Sequence, residues 1–227
     1  MESAFGVYCT PQNRRRGAVI RPDERANLVE DDLLVAENIR CTVGDRVLFD
    51  GLSFCAHPGD LVEIRGPNGS GKSTLLRCLV GLHEPDAGNI RRTVDSLYVG
   101  HRSGICGRMS PIENLRWFAG LTNASADDES IGAALGAVGL GHARHDVCDS
   151  LSAGQQRRVS LARLLVTPAP LWILDEPLTA LDDDGRDFVG ELLARHCSAG
   201  RAAVCATHQV LTTAPDAPAT RAVTLGP

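Results

Sequence analysis

The stretch "GPNGSGKST", residues 66–74, constrains the fold of this chain more than any other part of the sequence. It fits the pattern G-x-x-x-x-G-K-[ST] and stands between the apolar run "LVEI" at 61–64 and a helical run that begins at Lys72. In this strand, loop and helix context, small residues let the backbone fold round a phosphate chain, and the positive end of the helix adds to the attraction. The residues expected to bind a nucleotide are therefore Gly66, Pro67, Asn68, Gly69, Ser70, Gly71, Lys72, Ser73 and Thr74.

Two of these residues have predicted roles beyond forming the loop. Lys72 is expected to reach the β- and γ-phosphates, and Ser73 to ligate Mg²⁺. The other interpretation of the stretch is a glycine turn that only caps a helix. The full pattern would arise by chance in about one chain in a hundred, so the nucleotide loop is favoured.

The stretch "LWILDEP", residues 171–177, supplies the acidic groups that such a site needs. Four apolar residues predict a buried strand, and the two carboxylates fall at its end, where ligands bind in open α/β sheets. We expect Asp175 to hold Mg²⁺ and Glu176 to polarise an attacking water. Standing alone, two acids after a strand would instead be interpreted as a cap of the next helix.

The whole pattern of strands and helices predicts a doubly covered parallel sheet. Strands are expected near 33–39, 46–54, 60–65, 95–99, 171–175, 202–206 and 221–225, and helices over 72–82, 111–119, 128–138, 154–166 and 185–197. With 227 residues and a 43% hydrophobic composition, the chain can bury one substantial core.

Charge and apolar runs exclude several function classes. The formal net charge is −5, which gives no general attraction to nucleic acid or anionic lipid, so no nucleic-acid partner is expected. No stretch approaches the roughly 18 consecutive apolar residues of a spanning helix. If the function involves a membrane, another chain must cross it.

The cysteines predict no covalent or metal framework. The eight cysteines contain no C-x-x-C pair, and several lie within apolar runs, where a thiol behaves as a small hydrophobe. We expect reduced, structural thiols.

The first 32 residues differ in character from the rest. They contain the basic run "RRR" at 14–16 and the acidic run "EDD" at 30–32, with no apolar block long enough for a signal peptide. They are predicted to be a disordered extension, either without function or produced by a start codon assigned too early, and a functional basic arm is the alternative.

The stretch "LSAGQQRR", residues 151–158, opens a predicted helix whose N-terminus is an anion site with no anion of its own in this chain. Its residues Leu151, Ser152, Ala153, Gly154 and Gln155, in this order and spacing after the 66–74 loop, resemble the signature motif of ATP-binding cassette (ABC) ATPases. The resemblance covers nearly everything from residue 33 to 225.

The resemblance implies a P-loop NTPase fold of the ABC-ATPase type: an α/β domain over 33–227 with a parallel core sheet, N-terminal antiparallel strands and a helical lobe at about 105–167. It also implies ATP and Mg²⁺ as ligands. In that family two cassettes face head to tail, and each signature motif closes on the γ-phosphate bound by the other. Asp182 matches the family's D-loop, and His208 its switch histidine, placed to contact the γ-phosphate. Lys72, Glu176 and His208 are then the catalytic candidates, with Ser73 and Asp175 as Mg²⁺ ligands.

A narrower resemblance concerns residues 97–121, "LYVGHRSGICGRMSPIENLRWFAGL", together with "THQ" at 207–209. These stretches are similar to the ATP-binding subunits of cytochrome c biogenesis exporters, the Ccm haem-exporter family. The resemblance implies an ATPase on the cytoplasmic face of the cell membrane, peripheral to membrane-spanning subunits and paired with a second ATPase subunit.

Two residues depart from the family pattern. Val43 stands where the A-loop usually places an aromatic ring against adenine, so stacking on the base is not expected. Arg102 stands in the Q-loop, where the family carries glutamine. A guanidinium has no acceptor with which to ligate a cation or orient water, so Arg102 cannot do what glutamine does there.

Three alternatives to a cytochrome c biogenesis subunit remain open on the sequence. The chain could serve another small ABC exporter, or, because of Arg102, it could be a regulator that closes on nucleotide and hydrolyses it weakly. A cassette protein acting on nucleic acid or ribosomes is the third, but the inserted coiled coil or second cassette typical of those proteins is absent from the sequence.

Overall fold

The computed structural model describes residues 9–11, 32–122, 126–208, 211 and 220–226. Its strands are β1 (Cys9–Pro11), β2 (Leu34–Val43), β3 (Arg46–Ala56), β4 (Leu61–Arg65), β5 (Ala87–Arg92), β6 (Ser96–Val99), β7 (Leu171–Asp175), β8 (Ala202–Ala206) and β9 (Thr220–Thr224). Its α-helices are α1 (Lys72–Leu79), α2 (Pro111–Leu121), α3 (Asp128–Ala137), α4 (Ala153–Val166) and α5 (Asp183–Ser198), with short 3₁₀ turns at Gly141–Ala143 and Cys148–Ser150.

The main sheet has the strand order β1-β9-β4-β8-β7-β6. All its pairings are parallel except β1 with β9. A second, antiparallel sheet has the order β3-β2-β5. The predicted combination of a parallel core sheet, antiparallel strands near the N-terminus and a helical lobe is therefore confirmed, although β5 was not anticipated.

The two faces of the main sheet pack against different elements, as the alternation of side chains along its strands requires. In β7, Leu171 and Ile173 join a core with α1 and the antiparallel strands. Trp172 and Leu174 point the other way, into a core with α4 and α5. Helices α2, α3 and the outer side of α4 enclose a third core, which forms the helical lobe.

The N-terminal segment differs from expectation at two places. Residues Cys9–Pro11 pair with β9, and Asp32 is buried, with Oδ1 2.8 Å from His57 Nε2. Both belong to the folded domain because they complete a sheet edge and a side-chain ion pair. The other residues before 32 lie outside the described part of the chain, and their disorder stays a prediction.

Candidate nucleotide site

The loop at 66–71 turns sharply between β4 and α1, and glycine is required at both of its ends. Gly66 has φ 152°, and a Cβ there would lie 2.6 Å from Ser70 Oγ and 2.9 Å from the carbonyl oxygen of Leu225. Gly71 has φ 96°, and a Cβ there would lie 3.0 Å from the Leu48 Cβ of β3. The backbone therefore approaches β9 and β3 more closely than a side chain would allow.

The polar groups of this loop are only partly used within the chain. Lys72 is 8% exposed, and its Nζ donates to the carbonyl oxygens of Gly66 (2.8 Å) and Pro67 (3.1 Å). An ammonium has three donors, so one remains. Ser70 Oγ is buried and has no hydrogen-bond partner in the described part of the chain. Buried polar atoms usually have partners, so this loop is built to receive a polar ligand.

The carboxylates after β7 lie at the same edge of the sheet as this loop. Asp175 ends β7 and is 1% exposed, and its Oδ2 has no hydrogen-bond partner among the described residues. Helix α1, whose first turn carries Ser73, packs against β7. A hydroxyl and a free carboxylate oxygen are hard donors of the kind that Mg²⁺ prefers, so these residues fit that ion.

Glu176 and His208 are brought together from the ends of two neighbouring strands. Glu176 has φ 50°, and its N–H donates to the carbonyl oxygen of Ala206 at 2.8 Å, which ties it to the end of β8. His208 Nδ1 lies 3.1 Å and 3.2 Å from the two carboxylate oxygens of Glu176. A left-handed backbone is costly for a non-glycine residue and is found at functional positions, where surrounding contacts maintain it.

The signature residues form an ordinary capped helix start. Ser152 is the N-cap of α4, and its Oγ accepts from the Gln155 N–H at 3.2 Å. The Gln155 side-chain oxygen accepts from the Ser152 N–H at 2.9 Å, which completes a capping box. Both residues lie at the surface of the chain, away from the described contacts of Lys72 and Glu176.

The D-loop packs directly on this helix start. A Cβ at Gly154 would lie 2.7 Å from the carbonyl oxygen of Ala180, whose φ is 65°. Asp182 caps α5 and forms an ion pair with Arg158, and that hydrogen bond lowers the pKa of Asp182. Ser152, Gly154, Arg158, Ala180 and Asp182 line an open cavity of about 500 Å³. The structure therefore separates two surfaces: the 66–74 loop with the carboxylates, and the signature motif with the D-loop.

Sequence reasoning gave no role to Arg157, which connects these two surfaces. It is 5% exposed, and its guanidinium donates to four carbonyl oxygens: Gly100 (2.9 Å), Asp175 (2.9 Å), Glu176 (2.8 Å) and Pro177 (3.4 Å). Burial lowers its pKa, and the negative charges of Asp175 and Glu176 oppose that shift. Its place in "QQRR", after the signature residues, was the only available signal.

Arg102 lies on the loop after β6, as the sequence predicted, but among the described residues it forms no hydrogen bond or ion pair with the nucleotide residues. The loop is held by Arg157 at Gly100 and by Ser160 Oγ, which donates to the Ser103 carbonyl at 2.7 Å. The Arg102 side chain is exposed and forms no hydrogen bond or ion pair within the described residues. Val43, the other departure, is 54% exposed.

Arg102 lines one end of a groove between the main sheet and the helical lobe. The groove has a volume of about 480 Å³ and includes Trp117 and Leu121 of α2, which are 52% and 61% exposed. The guanidinium of Arg163 stacks over the Phe118 ring at 3.7 Å. The charged side chains that line the groove are cationic: Arg77, Arg102 and Arg163. His101 also lines the groove.

The sequence and the fold of this chain match those of known proteins. The family model described as "ABC transporter" matches residues 49–179. A solved dimeric structure of the ATP-binding cassette MJ0796, in a post-hydrolysis state with ADP and Pi, superposes with a TM-score of 0.70 at 22% identity over 78% of this chain and 88% of that one. The chain belongs to the ABC transporter family, as one of its ATP-hydrolysing subunits.

The narrower resemblance is confirmed as well. The chain is 46% identical over 191 residues to the cytochrome c biogenesis ATP-binding export protein CcmA of Yersinia pestis, covering 79% of this chain and 87% of that protein. It is 43% identical over 195 residues to the protein of the same name from Methylococcus capsulatus, covering 81% and 94%.

Proposed function

We propose that this chain hydrolyses ATP to energise membrane-spanning subunits in c-type cytochrome biogenesis, in haem export or handling. The observation that carries the ATPase assignment is that Lys72, Asp175, Glu176 and His208 lie at or shortly after the carboxyl ends of the parallel neighbours β4, β7 and β8, with Glu176 and His208 paired. The assignment to cytochrome c biogenesis rests on the identity to the CcmA proteins.

The residues of this edge suit in-line attack of water on the γ-phosphate. Glu176, oriented by His208 Nδ1, polarises the water, while the remaining Lys72 donor meets a phosphate oxygen. Ser73 and Asp175 would hold Mg²⁺, which neutralises charge on the phosphates when bound. Asp175 is assigned to the ion and Glu176 to the water because only Glu176 is paired with a histidine.

The opposing half of the site is assigned to a second copy of the chain. Ser152 and Gly154 lie beside an open cavity and have no phosphate-binding lysine near them among the described residues, so their anion must come from outside the chain. We expect the purified chain without ATP to sediment as a monomer, because the bound phosphates contribute much of what joins the two surfaces. A stable nucleotide-free dimer would contradict this arrangement.

Membrane subunits are proposed to contact the groove that contains Arg102, Trp117 and Leu121. Two large side chains more than half exposed beside a cationic rim are typical of a protein interface. None of the helices in the described part of the chain combines the length and apolar character that crossing a bilayer requires. The identity to cytochrome c biogenesis export proteins supports a peripheral place for the chain on the cytoplasmic face of the membrane.

The test combines purification and genetics. The chain isolated from membranes should bring membrane-spanning subunits with it, and deletion of its gene should abolish c-type cytochromes. Wild-type chain should restore them, and Glu176→Gln, at the same expression level, should not. Normal cytochrome levels in the deletion strain would contradict the proposed pathway and leave the ATPase assignment intact.

Arg102 supports one second candidate, a regulator that binds ATP and hydrolyses it weakly. ATPase turnover measured with the membrane subunits present distinguishes the two. Stimulation by these subunits supports transport coupling, and slow turnover in both conditions supports the regulator.

A further inference from the structure

Two cysteines and a histidine that are distant in sequence meet beside the helix that follows the nucleotide loop. Cys41 belongs to β2, Cys78 to the last turn of α1, and His83 to the turn after it. One ligand atom from each lies within 4.8 Å of the other two, and Cys41 Sγ is 3.4 Å from His83 Nε2. None of these residues belongs to the nucleotide site.

The spacing of these atoms suits a tetrahedral metal. With Zn–S near 2.3 Å and Zn–N near 2.0–2.1 Å, ligand atoms on one zinc ion lie about 3.5–3.8 Å apart. The sulfurs are buried, at 0% and 3% exposure of Cys41 and Cys78, while His83 is exposed. An ion could therefore enter from the solvent side, past the imidazole, and reach both sulfurs.

The surrounding charge also suits a cation. Asp86 Oδ2 accepts a hydrogen bond from Thr42 Oγ1 at 2.6 Å. Because Thr42 follows Cys41 in β2, this bond holds a carboxylate near the cluster. No lysine or arginine side chain forms a hydrogen bond or ion pair with Cys41, Cys78 or His83 in the described part of the chain.

A second cluster of possible metal ligands in the same protein differs from the first in the charge around it. Asp32, Cys55 and His57 also lie within 4.8 Å of one another. There, however, Arg221 Nη1 is 3.8 Å from Cys55 Sγ and 3.1 Å from His57 Nδ1, and it forms an ion pair with Asp60 at 3.0 Å. The guanidinium already supplies the positive charge of that cluster, so a metal ion would be repelled.

We propose that Cys41, Cys78 and His83 form a zinc site, with water as the fourth ligand. The ion joins β2 of the antiparallel sheet to the C-terminal end of α1, the helix whose N-terminus forms part of the nucleotide loop. Zinc then stabilises the folded chain and fixes α1 against that sheet.

The test uses the full chain without an affinity tag, reduced, loaded with Zn²⁺ or Co²⁺ and dialysed. We expect one zinc per chain by elemental analysis, and with cobalt a sulfur-to-metal charge-transfer band and the intense visible bands of a tetrahedral ion. Cys41→Ser and His83→Ala should remove the cobalt bands and the rise in melting temperature caused by zinc. His83→Ala changes an exposed side chain, so it tests the site even if Cys41→Ser folds poorly.

The matched control is Cys55→Ser, which removes the thiol of the second cluster and should retain the cobalt spectrum. Three results would overturn the proposal: absence of metal uptake by the reduced wild-type chain, uptake that persists unchanged in both cluster variants, or loss of uptake in Cys55→Ser alone. Formation of a Cys41–Cys78 disulfide by a chain that takes up no metal would also overturn it. All of these readouts are independent of ATP hydrolysis.

Discussion

The helix starts of α1 and α4 both carry a glycine, but their polar groups are used differently. At α1 the groups around the helix start are left partly unused: one Lys72 donor, the buried Ser70 hydroxyl and the Asp175 Oδ2. At α4 the capping box of Ser152 and Gln155 supplies hydrogen-bond acceptors to the backbone N–H groups of the helix start.

The comparison teaches which surface can bind a nucleotide alone. A helix start with unused buried polar groups can bind a ligand without a second chain, because leaving each of those groups unpaired costs about 1–3 kcal/mol. A helix start that is already capped has its polar groups paired, so facing solvent costs it no free energy. It contributes to a site only when another molecule brings the anion to it, as expected of a two-chain ATPase.

The largest expected effect is that of Glu176→Gln on the α1 side. The amide keeps the shape of the carboxylate but removes the base, so turnover should fall by about 10²–10⁴-fold. ATP affinity should stay near the wild-type value, since Lys72 and the loop are unchanged. Radiolabelled-ATP hydrolysis and nucleotide binding measure the two effects, and undiminished hydrolysis would remove Glu176 from its role.

Gly154→Ala, at the start of α4, should lower turnover nearly as much as Glu176→Gln does. Its Cβ would lie 2.7 Å from the Ala180 carbonyl oxygen, so the signature motif and the D-loop must move apart. We expect turnover to fall by about 10²–10³-fold, the usual cost of one misplaced transition-state donor. ATP binding by the isolated chain should be unaffected.

Mixing two inactive variants tests the comparison most directly. A dimer of one Gly154→Ala chain and one Lys72→Ala chain keeps one composite site intact, because the intact loop of one chain faces the intact signature of the other. The mixture should therefore regain part of the turnover that each variant lacks alone. If no activity returns although mixed dimers form, each chain uses its own signature motif and the comparison fails.

Arg157→Lys should have an effect of intermediate size, and it should act on both the nucleotide edge and the signature helix. The side chain belongs to α4 but donates to the backbone of Asp175 and Glu176, so it positions the catalytic edge from the signature helix. Lysine keeps the charge and loses most of these donors, which should lower the free energy of unfolding by about 1–3 kcal/mol. As a positioning residue it should also lower kcat with little change in KM for ATP. Equal stability and equal kcat would show that the network is dispensable.

The motifs of the nucleotide edge could be assigned from the sequence because each of them is local. Residues 61–74 contain a strand, the loop and a helix start, and residues 171–176 contain a strand and its carboxylates. The carboxyl ends of the strands in an open parallel sheet lie at one edge. Strand β5 was missed because "AGNIRR" has almost no apolar alternation. It pairs with β2 through its backbone, and that pairing has no signal in the residue types.

The contacts that the sequence could not predict are those between distant segments. Arg157 reaches backbone carbonyls on two loops, and any cation at that position would look the same in a sequence. Likewise, Cys41, Cys78 and His83 have none of the short spacings that identify metal sites, so the cysteines were interpreted as structural thiols. Their convergence depends on the packing of β2 against α1, which exists only in the folded chain.

Arg102→Gln should have the smallest effect and the most specific one. Arg102 is exposed and forms no hydrogen bond or ion pair within the described residues, so its removal should leave stability and the basal ATPase rate of the isolated chain unchanged. It lines the groove proposed for the membrane subunits, where its five donors suit a partner carboxylate. An exposed ion pair of that kind is worth about 0.2–1 kcal/mol, so stimulation by the partner should change by no more than roughly five-fold.

The measurement is ATPase rate against Mg²⁺ concentration for wild-type and Arg102→Gln chains, with and without the membrane subunits. We expect the curves to coincide for the isolated chains and to separate when the partner is present, because the arginine forms no hydrogen bond or ion pair with Asp175 or Ser73 among the described residues. Curves that separate without the partner would place Arg102 at the metal after all. Curves that coincide in both conditions would show that its side chain faces only solvent, and that the glutamine typical of this loop is dispensable here.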